Sequence, residues 1–208
     1  NKDNPIGDEV KMKKALLGFY LGEINWSKAQ VDVLKASTSK LIANDAMELS
    51  MLISAYYEMD TIEEPIQIFG RGDLLIFRNK DNEAIQTYDS INILYPGHSL
   101  TDKILMRKAQ IYEKRFDYEG AVSTYQTIIK DYPFSTSADD ALYKTAVIYE
   151  DIMKDSEKAQ ELYKLILLNY PGSIFVTDSR NRYRILRGDI IKPEDIPLPD
   201  EYDAPAFF

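Results

Sequence analysis

The sequence predicts an all-α protein, an α-solenoid of antiparallel helix pairs, and three observations carry that prediction. One pattern occurs three times, as NEAIQTYDSINILYP (82–96), YEGAVSTYQTIIKDYP (118–133) and SEKAQELYKLILLNYP (156–171). In each copy an Ala precedes a Tyr by four residues (Ala84/Tyr88, Ala121/Tyr125, Ala159/Tyr163), and a Tyr-Pro pair closes the unit. Repetition at this period is the signature of a stacked array, in which each unit buries its apolar face only against its neighbours. The intervening stretches carry apolar residues at helical steps, and the chain has neither sustained period-two alternation nor an Asn-Gly or Asp-Gly hairpin turn.

In chain order, GDEVKMKKALLGFYLGE reads as a first helix A, and WSKAQVDVLKAS as its helix B, with Ala29 in the small position and Val33 in place of Tyr. ANDAMELSMLISAYYE then gives a helix near residues 43 to 60 with no helix B of its own, which breaks the alternation. EEPIQIFGRGDLLIFRN is helix A of the first clear copy. LTDKILMRKAQIYEK places Ile104, Leu105, Lys108, Ile111 and Tyr112 on one face, with Ser99 and Asp102 as a capping box. SADDALYKTAVIYED repeats the design with Leu142, Ala146 and Tyr149, opened by Ser137 and Asp140. Short polar turns (Lys80-Asp81-Asn82, Phe116-Asp117, Lys154-Asp155-Ser156) join A to B, and the third copy is expected to hold its one extra residue in that turn. SIFVTDSRNRYRILR forms a last helix whose arginines (180, 182, 184, 187) suit a polar cap on an open end better than a nucleic-acid patch. The expected domains are thus 1–63 (degenerate N-terminal repeats), 64–171 (three repeats), 172–187 (capping helix) and 188–208 (an extended tail). The tail has four prolines, and six acids against one lysine; its first acids are expected to fold back on Arg184 or Arg187, and its aromatic residues to enter a groove.

These positions resemble the tetratricopeptide repeat (TPR) superfamily. In that family a small residue of helix A faces a small residue of helix B, each is followed by a large one, and a Pro ends the unit. The matching residues are Gly72, Leu75, Ala84, Tyr88, Ile91 and Pro96; then Ala109, Tyr112, Ala121, Tyr125, Ile128 and Pro133; then Ala146, Tyr149, Ala159, Tyr163, Ile166 and Pro171. The resemblance covers about residues 64 to 187 and implies a right-handed superhelix. The unit ends Tyr95-Pro96-Gly97-His98-Ser99 and Tyr170-Pro171-Gly172-Ser173 look most like repeats of bacterial envelope proteins, of the outer-membrane assembly lipoprotein and Tol-Pal-associated kinds. That likeness implies a periplasmic location in the cell envelope. By register it also nominates a concave, partner-binding face of Phe69, Asp73, Lys103, Met106, Gln110, Tyr143, Val147 and Glu150.

Composition bounds the function. A net charge of −9 and a pI near 4.8 argue against tracking phosphate backbones. No apolar run is long enough for a membrane span. The absence of cysteine excludes disulfides and thiol chemistry and suits cytosol or periplasm. His98 is the single histidine, expected to be exposed in a turn, and no Walker loop, GxSxG or GxGxxG is present. No catalytic residue, cofactor or metal is expected, and the chain, opening on Asn1, is expected to be a piece of a longer protein. The leading expectation is a non-catalytic scaffold that binds a protein or peptide, with self-association open. The alternatives are a structural segment of a longer superhelix, contacting its own chain or a second copy, and an accessory domain of an enzyme.

Overall fold

A computed structural model of the chain describes residues 5–37 and 39–189. All regular structure in them is helical: α1 (Pro5–Tyr20), α2 (Ile24–Leu34), α3 (Lys40–Met59), α4 (Glu64–Phe77), α5 (Asp81–Leu94), α6 (Thr101–Lys114), α7 (Tyr118–Asp131), α8 (Ala138–Val147), α9 (Ser156–Asn169) and α10 (Val176–Arg187). A π turn, Ile148–Ile152, extends α8. Consecutive helices joined by short turns pack as antiparallel pairs, the TPR-like arrangement the repeats predict. The described chain falls into two compact units, dividing after Thr101. Of the expected tail, 188–208, residues 190–208 lie outside the described residues.

In the first unit α1/α2 and α4/α5 are hairpins, and α3 stands between them without a helix B. The hairpins close on small residues. A Cβ on Gly72 would lie 2.3 Å from the Tyr88 ring, so only glycine lets α4 approach α5 this closely. In α1/α2 the facing pair is Ala15 and Ser27, both fully buried, with the Ser27 hydroxyl donating to the Ala15 carbonyl at 2.8 Å. This corrects the sequence reading of α2 by two residues. Ala29 and Val33 face solvent, while Ile24, Ser27, Val31 and Leu34 are buried. Helix α3 leans on α2, where the Ser50 hydroxyl donates to Asp32 at 2.6 Å.

The second unit holds α6/α7, α8/α9 and α10. Ala109 and Ala121 are fully buried in one core with Met106, Val122, Tyr125 and Ile128. Ala146 and Ala159 repeat this in a second core with Leu142, Tyr163 and Ile166. Val176, Tyr183 and Leu186 of α10 pack on that second core, so the last helix covers an apolar flank.

The A-to-B turns share one device. Asn79, Phe116 and Lys154 all adopt the left-handed conformation, with φ of 57°, 59° and 58°. The next amide reaches back to a helix carbonyl: Lys80 N–H to Leu75, Asp117 N–H to Tyr112, and Asp155 N–H to Tyr149. Asp117 and Asp155 then cap α7 and α9 by accepting from the Gly120 and Lys158 amides at 3.0 and 3.1 Å. The third repeat keeps this turn intact. Its extra residue sits inside the helix as the π turn, not in the turn where the sequence reading expected it.

The unit ends share a second device. At equivalent positions, His98 Nδ1, Ser135 Oγ and Ser173 Oγ accept from the amide two residues on (Leu100, Ser137, Phe175) at 3.1, 2.9 and 3.2 Å. His98 Nε2 also donates to Asp60 at 2.8 Å, as Ser135 donates to Asp102. His98 is therefore not an exposed turn residue; its side chain is only 5% exposed. The backbone bond at Nδ1 fixes the neutral tautomer with the proton on Nε2. Ser137 does not cap α8 with its side chain either: its hydroxyl donates to Asp102 at 3.4 Å and accepts from the Lys103 ammonium at 2.6 Å. Ser99, read as a cap, lies two residues before α6 begins.

Candidate partner-binding face

The buried tyrosine of each helix B aims its hydroxyl at a carboxylate of its own helix A. Tyr88 donates to Asp73 at 2.5 Å, Tyr125 to Glu113, and Tyr163 to Glu150 at 2.7 Å. A buried hydroxyl left unpaired costs about 1–3 kcal/mol, so each clamp sets the rotation of helix A about its axis. Burial, joined by the facing Glu113 charge, holds the Tyr125 phenol far above its ordinary value. Tyr163 is raised in the same way, by burial first and then by its bond to Glu150. The three hydroxyls are structural donors.

The eight nominated residues separate on this frame. Phe69, Asp73 and Met106 are buried and serve packing, Asp73 through the Tyr88 clamp. Lys103 is half-buried, its ammonium held by Thr136 and Ser137, each at 2.6 Å. Gln110 is half-buried and accepts from Arg107 at 3.3 Å. Val147, also half-buried, packs at the edge of the second core. Tyr143 and Glu150 meet α10. The Tyr143 ring stacks on Phe175 with centroids 4.3 Å apart, and its hydroxyl donates to Asp178 at 2.5 Å. Glu150 accepts from Arg182 at 2.9 Å.

Arg182 is the residue that the sequence did not single out from its neighbours. It donates to Asp178 at 2.8 Å and reaches Asp151 at 3.3 Å as well as Glu150, tying α10 to α8 through one guanidinium. The signal was present: Asp178 and Arg182 stand four apart, the spacing of a helical ion pair. Arg184 and Arg187 are both within ion-pair distance of Asp189, Arg187 Nε at 2.9 Å, so the expected return of the first tail acid onto these arginines is seen.

Fold and face together define a class: repeated helical hairpins that present the faces of their A helices. A family model of the tetratricopeptide repeat matches residues 104–135 and 140–173, spanning α6/α7 and α8/α9. Those two stretches carry the likeness to the tetratricopeptide repeat, and the α4/α5 hairpin shares their construction. Such repeats generally mediate protein–protein interaction, and the fold is typically a non-catalytic module. No curated protein matches the chain. Among the described residues no helix is long and apolar enough to cross a membrane.

Proposed function

We propose that the chain is a non-catalytic protein-binding module, and that a partner's extended segment or helix lies along the A-helix face of the second unit. The single observation behind this reading is the pair of tetratricopeptide repeats, whose α6 and α8 keep Lys103, Gln110 and Val147 half-exposed on rotationally fixed helices. Polar groups beside an apolar edge suit a peptide that offers backbone amides and one or two aliphatic side chains. The proposal includes a place in the bacterial cell envelope, in the periplasm. Its support is the likeness of the Tyr-Pro unit ends to envelope repeats.

Crosslinking in the native cell followed by mass spectrometry tests the reading. The expected result is crosslinks from Lys103 of α6 and from Lys144, half-buried in the last turn of α8, to one partner, with loss of that partner from Gln110→Glu and Val147→Glu variants that keep wild-type helicity. Crosslinks that bypass both lysines and survive both substitutions overturn it. Fractionation of the same cells checks the envelope location.

A further inference from the structure

Helix α2 carries two apolar stripes. Ile24, Ser27, Val31 and Leu34 turn inward, as described. Trp26, Ala29 and Val33 recur at steps of three and four residues on the opposite side, Ala36 follows in the turn just past the helix, and all four are exposed, Val33 by 73% and Trp26 by 44%. Helix α1 continues the surface. Val10 and Leu17 of α1 and Leu21 just past its end are exposed, and a Cβ on Gly18 would lie 2.6 Å from the Trp26 ring, so the indole lies over α1 at Gly18. Exposed Lys14 interrupts the α1 row. The partly exposed side chains sum to on the order of 500 Å², as large as the biggest apolar patch a typical monomer shows.

We infer that this face of the α1/α2 hairpin is the contact between two copies of the chain. Size is the first argument. If two α2 helices lie antiparallel about a two-fold axis beside residue 31, Trp26 meets Ala36 of the other copy, and Ala29 meets Val33. Along this seam Trp26 and Val33 then each face an alanine, the self-complementarity that a two-fold interface requires. Area is the second. Two such faces bury on the order of 1,000 Å², the threshold for a specific if modest association. Charge is the third. The chain carries −9, yet residues 5–36 hold five lysines (11, 13, 14, 28, 35) against four carboxylates (8, 9, 23, 32). Two copies meet here without the repulsion the rest of the surface would impose. The inference does not depend on the A-helix groove.

Trp26 is the only tryptophan and lies in the proposed contact, so it reports directly. The experiment is sedimentation equilibrium of the full chain from about 1 to 100 µM, a range suited to a contact of this area, with Trp26 emission read on the same samples. The expected result is a doubling of mass and a blue shift of emission with a shared midpoint. Val33→Glu, at an exposed site, should abolish both while leaving the circular dichroism unchanged, and Ile93→Glu, an exposed site on α5, should abolish neither. A monomer at every concentration with constant emission overturns the inference, as does a dimer that Val33→Glu leaves intact.

Discussion

At the scale of single residues, the left-handed turn positions show where the fold carries a local cost. Lys154 adopts φ 58° with a full side chain, exposed to solvent. Glycine takes that conformation without the Cβ clash, so Lys154→Gly should raise stability by about 0.5–1 kcal/mol in urea denaturation. Asn79→Gly should gain less, since Asn tolerates this region better. Asp45 carries a second local cost. It is buried in α3 and makes no hydrogen bond among the described residues, and burial, with Glu48 nearby, raises its pKa to about 6. The folded state thus holds this proton more tightly than the unfolded chain does. The contribution of Asp45 to stability declines as pH rises from about 4 through about 6, and its full penalty applies above that. Asp45→Asn should stabilise by about 1–2 kcal/mol at pH 7.5 and by less at pH 5, measured as urea midpoints, a figure reduced for the screening that partial solvent access allows. A gain equal at the two pH values would show that ionisation is not the cause.

At the scale of helices, the small residues that face each other keep a nearly constant separation. It is twelve in Gly72/Ala84, Ala109/Ala121 and Ala15/Ser27, and thirteen in Ala146/Ala159, where the π turn takes up the extra residue. Ala121 is fully buried where α7 crosses α6, so Ala121→Leu should cost about 1–3 kcal/mol through overpacking, while exposed Ser123→Ala should change little. Chemical denaturation of the pair checks the register directly. The same spacing explains what the sequence revealed and what it hid. Three helix pairs could be read because Ala, Tyr and Pro recur at matched positions. In α2 a second, exposed apolar stripe competed with the buried one, and Ala29 and Val33 mimicked the motif better than Ser27 and Val31 do. The candidate face was only partly legible for a similar reason. Periodicity places Asp73, Tyr143 and Glu150 on helix A, but only the folded neighbours show that Tyr88 and α10 engage them. His98 was read as exposed because nothing local in a turn sequence announces that Asp60, thirty-eight residues earlier, will close over it.

For the molecule as a whole, stability in a stacked array is a sum of unit and neighbour terms, so a terminal element protects what it covers. Removing residues 173–208 would take away Val176, Tyr183 and Leu186 from the second core, and Arg182 from Glu150 and Asp151. The shortened chain should melt at a lower temperature and associate through its uncovered α8/α9 flank. Light scattering distinguishes this association from the α1/α2 contact, because it should persist in the Val33→Glu background. Unchanged melting and a monomeric truncated chain in that background would deny α10 its covering role.

The π turn after Val147 bears on how such arrays tolerate change. One additional residue in a regular α-helix swings everything beyond it by 100°, which would carry Lys154, Asp155 and α9 out of line. A single wider turn takes up the addition with far less rotation, upstream of an unchanged junction. Length is therefore elastic in these repeats while angular phase is conserved. Units of 37 and 38 residues become interchangeable bricks. A search at fixed period would score such an insertion as a broken unit, although the next helix still arrives in phase.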